Sequence, residues 1–379
     1  MTLGGAGMYA VTVALPPVQA EFGVGRSEAS LPYTMTMIGF GLGGIVMGRL
    51  ADRFGVMVPV LIGALCLGAG FITAGLAGSL WQFALAQGVL IGFLGCSATF
   101  APLVADTSLW FNRRRGIAVA ICASGNYLGG TVWPPVVQHF FDTAGWRATY
   151  IGVGAFCIAA MLPLALVLRP RPPLPVLAPG VKAGQAPHDL GLRPALLLAL
   201  LCTAGVACCV AMSMPQVHIV ALCSDLGFAA ARGAEMLSLM LGFGIVSRLA
   251  FGWISDRIGG LRTLLLGSAL QGVALLLFLP ADGLVSLYVV SALFGLFQGG
   301  IVPSYAIIVR EYFDARTAGA TVSIVLTATL VGMALGGWMS GALFDLTGSY
   351  RAAFLNGLAW NLLNMTIAGA LLLRARKRL

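Results

Sequence analysis

Residues 54–105 run for 52 positions without one charged side chain, and nine more charge-free windows accompany them: 1–20, 29–48, 116–141, 148–168, 194–224, 263–281, 283–309, 317–344 and 352–373. A helix needs about 20 apolar residues to cross a bilayer. Each window therefore holds one helix and 54–105 holds two, with a turn at Gly75–Ser79. The stretch 230–255, interrupted by Glu235 and Arg248, makes one more. The expectation is an all-α membrane protein with twelve transmembrane helices. Charged residues are only 9% of the chain and hydrophobic ones 59%, whereas soluble domains carry about 25% charge. A soluble enzyme, a nucleic-acid binder and a disordered chain are excluded for want of a water-facing surface.

The few charges then set orientation. With the N-terminus placed in the cytoplasm, 18 of the 22 Lys and Arg residues fall at the inner side, and only Arg26, Arg147, Arg232 and Arg351 at the outer. This is the bias of the positive-inside rule, so both termini are expected in the cytoplasm of a cell whose plasma or inner membrane holds the chain. The net charge of +9 lies beside anionic lipid; no nucleic-acid partner is expected. The first window lacks the basic flank and cleavage site of a signal peptide. It begins with no residues before the helix, so either that helix is short or the natural start lies upstream. Nearly all of the eight cysteines sit singly in apolar spans, and none forms a C-x-x-C pair, which reads as buried packing with no metal.

The chain also repeats itself. Gly48-Arg-Leu-Ala-Asp52-Arg53-Phe-Gly55 returns 204 residues later as Gly252-Trp-Ile-Ser-Asp256-Arg257-Ile-Gly259. Gly145-Trp146-Arg147-Ala returns loosely as Gly348-Ser-Tyr350-Arg351-Ala at about the same offset, and Phe111 before an Arg-rich loop matches Phe313. Parallel duplication of this kind packs two halves about an axis along the membrane normal, with a substrate site between them. The expected domains are a six-helix bundle over 1–168, a Pro-rich cytoplasmic linker over 169–193 and a second six-helix bundle over 194–379. In the repeated loops Gly48 and Gly252 permit close helix approach and Gly55 and Gly259 stop the helix. Asp52 and Asp256 can face a helix N-terminus or an arginine across the bundle.

On these residues the chain resembles the major facilitator superfamily, along essentially its whole length. The resemblance implies two pseudo-symmetric six-helix bundles that rock about a central site. The run Trp110-Phe-Asn-Arg113-Arg114-Arg115 through Ser124-Gly125, followed by Pro134-Pro135-Val-Val-Gln138 and Gly145-Trp146-Arg147, resembles the monocarboxylate transporters and the related oxalate/formate-type antiporters. The drug-efflux branch fits less well: Gly88 stands where its fourth span carries Arg, and Gly125-x-x-x-Gly129-Gly130 lacks its Pro.

Arg248 is the most informative residue. It lies four residues before Gly252, about 6 Å deeper along a helix axis. A charge at that depth costs about 2.5–3.5 kcal/mol on insertion scales and usually faces a cavity or a partner. Positions 244 and 252 are both Gly, so no acid lies one turn away. A planar guanidinium without a counter-ion suits a carboxylate, and the resemblance implies that Arg248 is the substrate-anion ligand. His218, after Pro215, is expected to close the seventh span and either to carry a hydrogen bond or coupling proton near the substrate site or to sit solvated at a helix end. Polar residues inside spans add pocket candidates: Asn126 and Tyr127, Gln298 and Tyr305, Asn361 and Asn364.

Several family features are missing. Tyr9 aligns where animal monocarboxylate carriers have a Lys, Gly244 where they have an acid, and 317–344 contains no Lys, unlike the oxalate exchangers. One cation in place of two favours a monoanion over a dicarboxylate. The expected function is alternating-access transport of a pyruvate- or lactate-like monocarboxylate by proton symport or anion exchange, by a monomer, with no cofactor and no covalent chemistry. A polyspecific exporter of apolar compounds and a non-transporting membrane sensor are the alternatives.

Overall fold

The computed structural model describes residues 1–110, 115–169, 190–313 and 315–376, and all regular structure among them is helical. The first passage is two short helices, α1 (Ala6–Val13) and α2 (Leu15–Phe22). The break falls at Ala14, which puts Pro16 and Pro17 in the first turn of α2, where their missing N–H groups are tolerated. Next come α3 (Arg26–Phe54) and α4 (Met57–Gly75). The turn expected after Gly75 is present: Ser79 caps α5 (Leu80–Leu85), its Oγ accepting from the Gln82 amide. That passage continues as a π-helical stretch (Ala86–Cys96), one 3₁₀ turn and α6 (Ala101–Trp110). Helices α7 (Arg115–Ala144) and α8 (Trp146–Val167) complete the first half.

After residue 189 come α9 (Pro194–Asp225), α10 (Ala230–Ile258) and α11 (Gly260–Phe278), then α12 (Leu284–Gln298), α13 (Ile301–Tyr312), α14 (Ala315–Thr347) and α15 (Tyr350–Arg376). Ten helical stretches among the described residues are long and apolar enough to cross a membrane. Of the expected linker 169–193, residues 170–189 lie outside the described residues, as does His188. One boundary differs from expectation. Helix α9 does not close at His218 but runs through Pro215 to Asp225, because in a buried span neighbouring helices tolerate the backbone group a proline leaves free.

Association between membrane helices comes from close packing and hydrogen bonds, since lipid is as apolar as the side chains. Aromatic stacks supply much of that packing. In the first half Phe83 lies 5.6 Å from Trp146 and 5.5 Å from Tyr150, and Phe71 lies 5.2 Å from Tyr150. In the second, Phe278 stacks on Phe354 at 5.0 Å, and Phe354 stands 204 residues after Tyr150. Outward-facing apolar residues such as Val167, Val285 and Leu346 suit a lipid surround.

Among the described residues the two halves of the chain meet chiefly where α3 runs along α14 and α7 along α10, with smaller contacts of α1 and α2 on α9. The close approaches fall elsewhere than expected. Gly48 and Gly252 have open space where a side chain would be. The tight contacts are at Gly43, where a Cβ would lie 2.0 Å from the Phe93 carbonyl oxygen, and at Gly295, where it would lie 1.9 Å from that of Met240. Gly55 and Gly259 do end α3 and α10 in left-handed backbone, with φ of 87° and 81°.

Candidate substrate site

Helix α10 carries Arg248 into the seam with α7. Its guanidinium lies 4.2 Å from the centroid of the Tyr127 ring, and Nη1 donates to the Ala123 carbonyl at 3.4 Å. The Nε is buried without a partner, and no ion pair to Arg248 occurs among the described residues. Gly244 explains how the ring gets there. A Cβ at 244 would meet Tyr127 Cε1 at 2.7 Å and Cδ1 at 2.8 Å, so the residue one turn before Arg248 is small because Tyr127 fills that volume.

Tyr9 joins the same cluster from α1. It is buried, and a Cβ on Gly130, three residues after Tyr127, would lie 2.7 Å from its Cζ. Asn126 precedes Tyr127 on α7, is half-buried, and borders a small space with Gly5, Met8, Phe40 and Thr99. The arrangement is a cation held against a π face, with no carboxylate paired to it among the described residues. Such a group can accept an anion.

The other expected pocket residues are committed elsewhere. His218 is fully buried, its Nε2 2.8 Å from the Gly337 carbonyl and its Nδ1 3.3 Å from the Tyr350 hydroxyl. A carbonyl can only accept, so Nε2 carries the proton and Nδ1 accepts from Tyr350. Both nitrogens are engaged, and His218 is not a solvated helix end. Tyr305 is fully buried and donates to Asn364 Oδ1 at 3.0 Å, while Asn364 donates to Ser268 Oγ at 2.6 Å. Its packing cluster consists of second-half residues only. Gln298 is fully buried; its Oε1 accepts from Gln216 at 3.1 Å, while its Nε2 has no partner. These residues hold second-half helices together.

The repeated loops are mostly solvent-exposed. Asp52, Arg53, Asp256 and Arg257 are exposed, Arg53 lying over Phe54 at 5.2 Å and Arg257 over Trp253 at 3.6 Å. Arg113 and Arg114, and the side chain of Arg115, lie outside the described residues. The helix-capping role expected of an aspartate is taken by Glu311, which accepts from the Gly260 amide at 2.9 Å and sets a negative charge at the N-terminus of α11. The eight cysteines are free, and no group able to hold a metal ion occurs among the described residues.

A second cluster, at the opposite end of the helices from those loops, escaped the sequence reading. Arg26 opens α3, is 7% exposed, and donates from Nη2 to both carboxylate oxygens of Asp225 at 2.9 Å. Asp345, at the end of α14, accepts from the Arg26 amide at 2.7 Å and from the Ser27 amide and hydroxyl at 2.8 and 2.6 Å. It thus caps a helix of the other half. The guanidinium also lies 5.0 Å from Phe344 and 6.0 Å from Tyr350. The available signal was the acid closing each of two charge-free windows, Asp225 and Asp345.

Comparison with known proteins agrees with this architecture. The model of the Major Facilitator Superfamily matches residues 1–281 and 196–379. Monocarboxylate transporter 13 of Bos taurus is 30% identical over 82% of this chain and 72% of its own length. The uncharacterized MFS-type transporter YcxA of Bacillus subtilis is 27% identical over 88% of the chain and 83% of its own. Among solved structures, a peptide transporter in complex with alafosfalin superposes with a TM-score of 0.75 at 15% identity, over 99% of this chain and 93% of that one. A bacterial homologue of the lysosomal transporter Spinster, inward-facing and unoccupied, gives 0.73 at 17% over 100% and 95%. Those two similarities bear on fold alone. A fully helical chain with a duplicated signature loop, matched by the family model over both halves, belongs to the Major Facilitator Superfamily and resembles its monocarboxylate-transporter branch.

Proposed function

We propose that this protein is a secondary transporter of a small organic monocarboxylate and works by alternating access between two six-helix bundles, 1–168 and 194–379. The observation that carries the reading is Arg248: a half-buried cation in the seam between the halves, braced on Tyr127, with an unpartnered Nε. Arg248 is the carboxylate clamp, Tyr9 offers a second donor, and Tyr127 orients the guanidinium. Asn126 borders the site, whereas His218, Gln298 and Tyr305 act by holding helices.

Twelve spans with both termini in the cytoplasm put the signature loops Gly48–Gly55 and Gly252–Gly259, with Arg113, Arg114 and Arg115, at the inner face as gating elements. Arg26, Asp225 and Asp345 then lie at the outer face. Cross-half contacts gather at that outer end, while Gly48 and Gly252 have open space around them. This supports a state closed outside and open inside. Coupling is by proton symport or anion exchange, and one chain forms one pathway.

The test is uptake of a labelled carboxylate panel into proteoliposomes, with and without an inward proton gradient, for wild type and Arg248→Lys. At least one monocarboxylate is transported, and the Lys variant loses the planar fork and stacking. That costs about 1.5–3 kcal/mol, roughly 10- to 150-fold in kcat/KM. No transport of any carboxylate, or a Lys variant equal to wild type on every one, removes the proposal.

A further inference from the structure

The internal repeat exposes an unequal use of the same residues at the two outer corners. In the first half Glu21 takes a hydrogen bond from Trp146 Nε1 at 2.5 Å and an ion pair from Arg147 at 2.6 Å, while Arg147 also reaches the Gly75 carbonyl at 2.9 Å. All partners lie within one half, so that corner is self-contained. The residues 204 positions later are Asp225, Tyr350 and Arg351. This second set is split. Asp225 has turned across the seam to Arg26, and Arg351 is left 3.7 Å from Asp282, with both side chains about two-thirds exposed. Position 230, the counterpart of Arg26, is Ala, so the first half receives no such cross-seam partner.

We infer that Asp225 is a two-position switch that pairs with Arg26 when the outer end is closed and with Arg351, as Glu21 pairs with Arg147, when it opens. The inference rests on the alternating-access reading above. Separating the halves at the outer end must break the Arg26–Asp225 pair, and an uncompensated carboxylate there is costly. A waiting arginine in the same half lowers that cost, because at the matching positions the first half shows an acid paired with an arginine beside an aromatic residue. Asp345 has no equivalent fallback: its counterpart is Phe141, and its ligands are the α3 amides of the other half. It acts as a latch while Asp225 exchanges.

The experiment is amide hydrogen exchange read by mass spectrometry on the full-length protein in lipid nanodiscs. The reporter is the first turns of α3, where the amides of residues 26 and 27 are held by Asp345. The internal control is α4. Arg26→Ala speeds exchange there by at least about tenfold, since a largely buried pair is lost. Arg351→Ala removes the open-state partner and slows exchange by about threefold, the scale of a partly exposed ion pair. A variant that merely loosened the fold would exchange faster at α3 and α4 alike, so slower exchange confined to α3 is not a folding artefact. Unchanged or faster exchange in Arg351→Ala overturns the switch, and unchanged exchange in Arg26→Ala overturns the gate itself. Neither readout depends on a substrate. If no carboxylate is transported while both shifts appear, the substrate reading fails and the switch stands; if transport is intact and the shifts are absent, the reverse holds.

Discussion

Gly244→Ala isolates the role of Tyr127 without touching the arginine. Ala is favoured over Gly inside a helix by about 1 kcal/mol, so the substitution does not weaken α10 as a helix. Its Cβ, however, would stand 2.7 and 2.8 Å from two ring carbons of Tyr127, against 3.4 Å or more for ordinary contact. The ring must move by about 0.7 Å or α10 must draw back from α7, and overpacking of this kind costs about 1–3 kcal/mol. Either movement takes the π face away from a guanidinium now 4.2 Å from its centroid. A partly desolvated cation–π contact is worth about 0.5–2 kcal/mol, so the clamp should lose roughly 2- to 30-fold in apparent affinity, seen as a raised KM in proteoliposome uptake. Tyr127→Ala should reproduce the loss, and Tyr127→Phe should not, because it keeps the ring. If Gly244→Ala and Tyr127→Ala both keep KM within about twofold of wild type, Tyr127 does not organise Arg248 and the account of Gly244 is wrong.

Two further substitutions separate holding residues from substrate residues. Tyr305→Phe removes the hydrogen bond to Asn364 and should lower thermal stability by about 1 kcal/mol with KM unchanged in uptake assays; a raised KM would return Tyr305 to the substrate site. Glu311→Gln removes the charge from the carboxylate at the Gly260 amide and should destabilise the protein by about 0.3–1 kcal/mol, seen in detergent melting curves, while an unchanged midpoint would remove its capping role.

Much of the fold could be read because a bilayer leaves a chain few choices. The charge-free windows follow the described helices, and Gly55 and Gly259 end theirs where left-handed backbone needs no Cβ. Partner choice was hidden. Asp225 and Arg26 are 199 positions apart, and nothing local distinguishes an acid that stays in its own half, like Glu21, from one that crosses. Pro215 is a stop signal in water that a packed membrane helix absorbs, so α9 runs on past His218. For Arg248 the isolation from acids was legible, since it depends on neighbours one turn away on the same helix. Its aromatic brace was not, since Tyr127 arrives from α7 and Gly244 reads as a missing acid until the ring is seen occupying its place.

The repeat gives a reason why these particular residues matter. The chain's internal repeat leaves equivalent corners in its two halves, and that equivalence persists at several positions where a residue holds its own half together. Arg147 and Arg351, Trp146 and Tyr350, Gly55 and Gly259 remain matched at the 204-residue offset. The cluster at the seam is unmatched: Arg248 has Gly44 as its counterpart, Arg26 has Ala230, Asp345 has Phe141 and Tyr9 has Ser213. On the proposed reading of a monocarboxylate substrate one cation suffices, and a second arginine at position 44 would add the cost of another charge within the membrane without a second carboxylate to offset it. A gate likewise needs opposite partners on opposite halves, which two identical halves supply only in duplicate. Departures from the repeat that face the other half are therefore where binding and gating chemistry is to be sought in this chain.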